Sequence, residues 1–155
     1  MLHRDVKPSN IIMAGPPRLI DMSIARTVER CAGLDEAVGT DDYMAPEQCR
    51  ARPGTIGTPA DVWGVGATLY RAMCGELPYP AGVEGSDVPQ LRWPQLREPA
   101  TPAPPSLPAE LTEPIMSCLA PEPGDRPAAA QGAGLLGPVR ESRAQLRSAR
   151  RKPRL

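Results

Sequence analysis

Large aromatic side chains are scarce in this sequence. Of its 155 residues, none is phenylalanine, three are tyrosine and two are tryptophan. Hydrophobic residues nevertheless make up 41% of the chain, so we expect a core built mainly from aliphatic side chains. The length fits one domain.

Signals for metal binding by cysteine and for membrane insertion are also lacking. His3 is the single histidine, and the four cysteines, Cys31, Cys49, Cys74 and Cys118, form no C-x-x-C pair. A zinc site therefore has no ligands at workable spacing, and free buried thiols are expected. No stretch approaches the roughly 18 apolar residues of a membrane span, and no signal-peptide pattern is present. These absences predict a cytoplasmic protein.

Charge and proline are present but unevenly distributed. Residues 138–155 carry seven basic groups and one acidic group, although the formal net charge of the chain is zero. This basic tail could bind nucleic acid or an anionic membrane surface, but a solvated end is favoured and nucleic acid is not expected, since the tail has no aromatic residues for base stacking. Thirteen of the 21 prolines fall between residues 76 and 127, which predicts short helices and rigid loops there.

The most informative segment is HRDVKPSN at residues 3–10. Phosphoryl transfer needs a carboxylate at the attacking hydroxyl, a cation near the phosphate and oxygen ligands for magnesium. Asp5, Lys7 and Asn10 supply these three groups within eight residues. The segment therefore predicts phosphoryl-transfer chemistry.

Four further motifs follow in a fixed order: LIDMS at 19–23, GTDDYMAPE at 39–47, DVWGVG at 61–66 and PEPGDRP at 121–127. With HRDVKPSN, they resemble, in chain order, the catalytic loop, Asp-Phe-Gly, Ala-Pro-Glu and central-helix motifs of protein kinases and the late segment whose arginine pairs with the Ala-Pro-Glu glutamate. The Lys-Pro-Ser-Asn form resembles that of serine/threonine kinases, and the set of motifs as a whole resembles a bacterial-type serine/threonine protein kinase. This resemblance implies a mainly α fold of the α+β family: a fragment of the kinase large lobe, with a short β-hairpin beside the catalytic loop.

The resemblance also implies roles for individual residues. Asp5 would act as the base or orient the acceptor hydroxyl, and Lys7 would hold the transferring phosphate. Asn10 and Asp21 would bind Mg²⁺ on the ATP phosphates. Ile12 would form the floor under adenine, with an ordinary strand core residue as the alternative. The implied cofactors are ATP and Mg²⁺, and the implied substrate is a protein carrying Ser or Thr.

Regulatory positions follow from the same resemblance. Arg4 would pair with a phosphorylated residue of the activation segment. No Ser, Thr or Tyr lies between residues 28 and 39, so Asp35 and Glu36 are interpreted either as a fixed acidic replacement or as ordinary exposed carboxylates. Met22 and Ser23 replace Phe and Gly, and Met22 is expected to fill the Phe pocket.

Structural positions complete the set of candidate residues. His3 belongs to the catalytic-loop motif, and Thr40 would contact that loop. Glu47 and Arg126 would form a buried ion pair. Asp61 would lie in the first turn of the central helix, where a carboxylate complements the helix dipole.

The elements that the family places before its catalytic loop are not found here, because only Met1 and Leu2 precede His3. A Gly-rich phosphate loop and an ATP-contacting lysine are among them. We therefore expect residues 1–137 to be a partial kinase domain that needs a small lobe as partner and is inactive alone, followed by the tail at 138–155. The alternatives are a non-catalytic kinase-like binding module and a truncated gene product.

Local patterns predict the secondary structure. Apolar residues within 10–13 and 18–21, three of them isoleucine, are separated by the turn formers at 14–17 and predict a hairpin. One helical turn is expected at 45–49. Longer helices are expected from a Thr58 N-cap to Gly75, with close backbone packing at its glycines, and over 108–119. A weaker helix is predicted from 128, broken at 137–138 and resuming to 150.

Overall fold

The structure is a computed structural model, which describes residues 1–129. In this part of the chain, helices dominate and one antiparallel pair of strands forms the sheet. This agrees with the predicted mainly α fold. The elements are β1 (Ile11–Ile12), β2 (Arg18–Leu19), α1 (Val28–Cys31), α2 (Pro46–Arg50), α3 (Thr58–Cys74), α4 (Pro89–Arg92) and α5 (Ala109–Cys118), with 3₁₀ turns at Pro8–Asn10, Asp41–Tyr43, Pro94–Leu96 and Pro123–Asp125.

The predicted hairpin is present but shorter than expected. Strands β1 and β2 are antiparallel, with Ile11 opposite Leu19 and Ile12 opposite Arg18. Gly15 in the connecting turn has a φ of 83°, a value that glycine adopts without steric cost. The hairpin begins directly after the 3₁₀ turn that contains Asn10. The first strand therefore marks the end of the catalytic-loop motif.

Helix α3 is the long central helix that the sequence predicted. It ends before Gly75, whose φ of 78° is a left-handed helix cap. Its start differs from the prediction: Gly57 is the N-cap, Thr58 is already helical, and no side chain caps the first turn. Pro59 fits this first turn because the N–H that it lacks would have no partner there.

Two glycines of α3 allow close packing, as expected. A Cβ on Gly64 would lie 2.9 Å from Val6 Cβ, and one on Gly66 would lie 2.7 Å from Cys118 Cβ. Real Cβ atoms do not approach this closely, so any side chain at either glycine would push its neighbour away. The glycines therefore bring the catalytic-loop motif and α5 against α3.

The core lies around α3. Trp63 is almost fully buried, and its ring stacks on Tyr79 with the ring centres 5.6 Å apart. Other members of the main buried cluster include Leu2, Ala67, Tyr70, Ile115 and Leu119. Not every apolar residue of α3 is buried, since Val65 is exposed.

Several further expectations can be compared with the described residues. The proline-rich part contains short helices and turns, and helix α5 lies within the predicted 108–119. Helix α1 was not predicted, because four residues carry too little periodicity.

All four cysteines are free, three of them buried and Cys74 half-buried. No helix within residues 1–129 is long and apolar enough to cross a membrane. The tail at 138–155 and most of the helix predicted from 128 to 150 lie outside the described residues.

Candidate active site

The catalytic-loop motif is attached to the first turn of α3 through Asp61. Its carboxylate accepts hydrogen bonds from the backbone N–H of His3 and of Arg4, each at 2.8 Å. Gln48 Nε2 donates to the Arg4 carbonyl at 2.9 Å. Arg4 has a φ of 70°, which a residue with a side chain seldom adopts. These three hydrogen bonds hold a strained turn in place and so position the residue that follows it, Asp5.

His3 connects the same loop to the segment before Asp21. The Asp5 backbone N–H donates to His3 Nδ1 at 3.3 Å, and His3 Nε2 lies 2.9 Å from the carbonyl oxygen of Ile20. With Nδ1 as the acceptor, Nε2 is the ring nitrogen that donates to this carbonyl. His3 thus supports the site without facing a substrate.

The side chains of Asp5, Lys7, Thr40 and Asn10 form one hydrogen-bonded network. Lys7 Nζ lies 2.9 Å from Asp5 Oδ2, and the Thr40 hydroxyl donates to Asp5 Oδ1 at 2.7 Å. Lys7 Nζ also donates to Thr40 Oγ1 at 2.6 Å. Asn10 Nδ2 donates to Asp5 Oδ2 at 3.1 Å and to the Asp5 carbonyl at 2.9 Å. The fold therefore brings Thr40, 35 residues from Asp5 in sequence, into the predicted catalytic loop.

The network sets the ionisation of Asp5. Burial by itself would raise the pKa of this carboxyl, but hydrogen bonds from Lys7 and Thr40, and the charge of Lys7, outweigh that effect and lower the pKa below its usual value. Asp5 is therefore an ionised carboxylate at neutral pH. Such a group can orient and accept a hydrogen bond from a hydroxyl.

Asn10 and Asp21 offer the oxygen donors that Mg²⁺ prefers. The side-chain N–H groups of Asn10 are directed to Asp5, whereas its Oδ1 takes no hydrogen bond within residues 1–129. Asp21 is exposed, with a φ of 63°, and hydrogen bonds from Ser23 lower its pKa. The Ile20 N–H donates to the Asn10 carbonyl at 2.9 Å, which ties the two segments together. The donor chemistry at these residues thus fits magnesium.

The described residues hold no cluster of three His, Cys, Asp or Glu side chains suited to a metal ion. A cation at Asn10 and Asp21 would need further oxygen ligands besides these two side chains. Substrate phosphates and water usually complete the shell of Mg²⁺ at phosphoryl-transfer sites. The sparse protein ligand set is compatible with that arrangement.

Two apolar predictions near the site need correction. Met22 does not fill an interior pocket, since 49% of it is exposed. For Ile12, the alternative of an ordinary strand core residue is wrong, because Ile12 is 43% exposed. Both are among five large apolar residues in and beside the hairpin that are exposed: Ile12, Met13, Leu19, Ile20 and Met22.

The predicted pairing of Arg4 with Asp35 or Glu36 is absent. Arg4 is only 4% exposed, and its Nη1 donates to the carbonyl of Ile24 at 3.3 Å. Its Nε and Nη2 are buried without a partner within residues 1–129. Asp35 and Glu36 lie on the loop after α1, where both residues are exposed. They are therefore ordinary exposed carboxylates, the second interpretation above.

The predicted ion pair between Glu47 and Arg126 is present. Arg126 Nη1 lies 2.6 Å from Glu47 Oε1 and Nη2 lies 2.9 Å from Oε2, so the contact is bidentate and buried. The guanidinium also lies 4.9 Å from the centre of the Trp63 ring. Its remaining donors reach the carbonyls of Pro59, Ala120 and Pro121. Arg126 thus joins α2, α3 and the segment after α5.

Sequence reasoning missed several residues that shape the site. Gln48 Oε1 accepts the Ala45 N–H at 3.1 Å, and its position three residues after Ala45 is a capping signal that could have been recognised. Arg92 forms a bidentate pair with Asp41, at 2.7 and 3.1 Å. Gln95 Nε2 donates to the carbonyl of Asp41 at 2.9 Å. No local pattern signals contacts over more than 50 residues of sequence.

Known proteins resemble this chain over most of its length. The protein kinase domain family matches residues 1–134. Mitogen-activated protein kinase kinase 3 of Arabidopsis thaliana is 35% identical over 136 residues, which cover 84% of this chain and 25% of the relative. Serine/threonine-protein kinase PknA of Mycobacterium tuberculosis is 32% identical over 159 residues, covering 99% and 34%. Serine/threonine-protein kinase PkaA of Streptomyces coelicolor is 36% identical over 137 residues, covering 83% and 24%. The chain spans a quarter to a third of the length of these three relatives.

Proposed function

Because this chain belongs to the bacterial-type serine/threonine protein kinase family, we propose that it supplies the phosphoryl-transfer residues of an ATP-dependent kinase acting on protein Ser or Thr. In the reaction, the acceptor hydroxyl oxygen bonds to the γ-phosphorus of ATP. The bond from that phosphorus to the bridging oxygen breaks, ADP leaves with the electron pair, and the hydroxyl proton passes to Asp5.

The network at Asp5 is the observation that supports this proposal most directly. Its Oδ1 already accepts a hydroxyl hydrogen bond, from Thr40 at 2.7 Å, so a Ser or Thr hydroxyl has suitable chemistry for the same carboxylate. A lowered pKa makes Asp5 a weak base. Little charge develops on the attacking oxygen in a loose phosphoryl-transfer transition state, so orientation contributes more than base strength.

Lys7, Asn10 and Asp21 complete the proposed assignment. Lys7 Nζ bridges Asp5 and Thr40, and from there it would hold the transferring phosphate as a point charge. Asn10 and Asp21 would hold Mg²⁺, which supplies charge neutralisation on the phosphates of ATP.

The exposed apolar surface around the hairpin supports the idea of a kinase small lobe as partner. Five large apolar side chains in and beside the hairpin, close in sequence to the catalytic loop, are exposed, and burial of such side chains favours association. In this assignment residues 1–129 belong to the large lobe, Ile12 underlies the adenine and the small lobe covers the nucleotide. Residues 1–137 remain the proposed kinase domain, with 138–155 as a separate basic tail.

A cytoplasmic location is part of the proposal. All four cysteines are free, which agrees with a reducing compartment. Protein substrates and ATP are both present there.

A fusion of this chain to the small lobe and first large-lobe helices of a serine/threonine kinase tests the function. We expect Mg²⁺-dependent transfer of labelled phosphate to a generic protein substrate. Asp5→Asn should lower the rate by about 10²- to 10⁴-fold, the range for removing an acid–base group. Glu110→Gln, an exposed acid on α5, is the control and should change nothing. Full activity of the Asp5→Asn fusion would refute the assignment.

The second candidate function is a non-catalytic module that binds a protein partner. The same exposed apolar surface favours it. Such a module would bind its partner equally well with Asp5→Asn, whereas Met22→Ser and Ile12→Ser would weaken the contact. A fusion that binds Mg-ATP but never transfers phosphate would support this second reading.

A further inference from the structure

An apolar groove of about 270 Å³ lies between helices α3 and α5 and the catalytic-loop motif. Helix α3 contributes Val62, Val65 and Leu69 to its lining, and α5 contributes Ile115 and Cys118. The three residues of α3 are spaced by three and four positions, so they lie on one face of the helix. Val65 is 42% exposed, so the fold leaves this face partly uncovered.

The groove offers little polar chemistry to an occupant. Asp61 is the one charged residue that lines it within residues 1–129. Both of its carboxylate oxygens already accept backbone N–H groups, from His3 and Arg4. An occupant that carried polar groups into the groove would lose their hydration and gain few partners. The groove therefore suits an uncharged aliphatic segment.

Any occupant of the groove also packs against the catalytic-loop motif. Val6 lies between Asp5 and Lys7, lines the groove and is 5% exposed. It already contacts α3, where a Cβ on Gly64 would lie 2.9 Å from Val6 Cβ. A segment in the groove would thus add a second support for the residue between the two proposed catalytic groups.

The described part of the chain ends at the wall of this groove. Pro127 and Ala129 both line it, and residues 130–155 follow in the sequence. The start of that segment is therefore tethered at the groove. A short tether gives an effective concentration of about millimolar, so a segment of the same chain has an advantage over a separate molecule.

The residues directly after Ala129 have the composition that the groove requires. Residues 127–139 contain no charged side chain. Leu135 and Leu136 are the only two adjacent large aliphatic residues within 130–155. Leu136 follows Ala129 by seven positions, which corresponds to the same face of the helix predicted there. Seven residues span about 10 Å in a helix and at most about 25 Å when extended, so the leucines stay within reach.

The later part of the tail is a poorer occupant. Residues 138–155 carry seven basic groups and one acidic group. Leu146 is flanked there by Arg143 and Arg147, and burial of such charges in an apolar groove would be costly. The two leucines before Gly137 are therefore the favoured occupants.

We propose that residues 130–136 fold back over this groove, that Leu135 and Leu136 pack between α3 and α5, and that the segment thereby supports the catalytic loop through Val6. The inference goes beyond the proposed function and does not depend on it, since it concerns a contact within the chain.

The reactivity of Cys118 tests the inference, because this thiol lines the groove. The 155-residue chain is treated with iodoacetamide under native conditions, and mass spectrometry of its peptides gives the labelling rate of each cysteine. Cys49 is an internal control: it is 5% exposed against 6% for Cys118, but it belongs to the separate cluster with Met44 and Trp93.

The variants are Leu136→Ser in the segment and Val65→Ser in the groove. Leu146→Ser is the matched control, because it removes a leucine of the tail outside 130–136. Circular dichroism checks that each variant is folded. Leu136→Ala is measured in parallel, so that a readout remains if the serine variant does not fold.

We expect Leu136→Ser to raise the labelling rate of Cys118 by about tenfold or more, the factor that burial of a leucine side chain contributes to an equilibrium. Leu136→Ala and Val65→Ser should give smaller increases. The effects of Val65→Ser and Leu136→Ser should combine to less than their product, since both disrupt one contact. Labelling of Cys49 should stay within about twofold in every variant, and Leu146→Ser should change neither rate.

Hydrogen exchange, measured by NMR, tests the support of the catalytic loop. The N–H groups of His3 and Arg4, which Asp61 holds, should exchange faster in Leu136→Ser. Faster labelling of Cys118 without faster exchange would mean that the segment covers the groove but does not support the loop, which would overturn that part of the inference.

Three results would overturn the docking itself. Unchanged labelling of Cys118 in both Leu136 variants would mean that the segment does not cover the groove. An equal increase at Cys49 and Cys118, or an equal effect of Leu146→Ser, would indicate a general loosening of the fold. Labelling of Cys118 that slows as the protein concentration rises would mean that a second copy covers the groove. None of these measurements requires nucleotide or a small lobe, so each result stands whether or not the fusion transfers phosphate.

Discussion

Asp61 holds the backbone of Arg4 with a 2.8 Å hydrogen bond, although 57 residues separate them in sequence. A second carboxylate oxygen takes the N–H of His3. One side chain of α3 thus satisfies two successive backbone groups of the catalytic-loop motif. This contact connects the stability of the fold directly to the geometry of the candidate site.

Asp61→Ala should therefore destabilise the chain. Two hydrogen bonds to a charged acceptor are lost, which predicts a loss of about 2 to 4 kcal/mol in the free energy of unfolding. Urea denaturation measures the effect. Asp87→Asn, at an exposed position, is the control and should stay within about 0.5 kcal/mol. Equal stability of the two variants would contradict the role given to Asp61.

Arg126→Ala should be among the most damaging single changes. It leaves the buried Glu47 carboxylate without its partner, and breaking such a pair costs about 3 to 5 kcal/mol. Arg97 offers a matched comparison, because its contact with Glu98 at 3.0 Å is exposed. Arg97→Ala should cost no more than about 1 kcal/mol. Similar urea midpoints for the two variants would show that burial of the pair has no consequence.

Arg4→Met should be tolerated far better than Arg126→Ala. Two guanidinium nitrogens of Arg4 are buried without partners in the described part of the chain, and an unsatisfied buried group costs about 1 to 3 kcal/mol. Methionine keeps the packing and removes that cost, so the stability should rise or fall by less than about 1 kcal/mol. A loss above about 2 kcal/mol would mean that the guanidinium stabilises the fold.

Substituting Asp35 and Glu36 should have little effect. Neither carboxylate pairs with Arg4, so Asp35→Asn with Glu36→Gln should leave the stability of the chain unchanged. The activity of the fusion should also stay within about twofold, since surface changes rarely exceed about 0.5 kcal/mol. The contrary result would be a large loss of fusion activity in the parent that is absent in the Arg4→Met background. Such coupling in the double-mutant cycle would support the acidic-replacement hypothesis.

The pKa of Asp5 predicts one component of acid sensitivity. Because the folded-state pKa lies below its usual value of 3.8, the unfolded chain binds more protons and the group stabilises the fold above that value. Its contribution is lost as the pH falls through the lowered folded pKa. Asp5→Asn should therefore flatten the fall in stability between about pH 5 and pH 2. If the stability of Asp5→Asn falls with decreasing pH as steeply as that of the parent, the network does not favour the ionised carboxylate.

Features that depend only on residues close together in the sequence were predicted from the sequence alone. The hairpin was predicted because turn formers separate two short segments that contain isoleucine. Thr58-Pro59 and Gly75 bracket α3 because proline fits the first helical turn and glycine can adopt the left-handed cap conformation. The motif around Asp5 likewise indicated its chemistry, since the residue types and their spacing are local. The pairing of Glu47 with Arg126 came from family resemblance rather than from any local pattern.

Tertiary packing decided the features that depend on what surrounds a side chain. Met22 is apolar yet exposed, and Arg4 is charged yet buried. In both cases the position of the backbone in the fold decides the burial of the side chain, and the hydrophobicity of the residue does not. The contact between Asp41 and Arg92 spans 51 residues, so no local pattern could reveal it. The sequence thus determined the fold class, the family and the chemical groups of the site. Only the packed structure decided which carboxylates are neutralised and which remain available to bind a ligand, because charge compensation depends on distance in space.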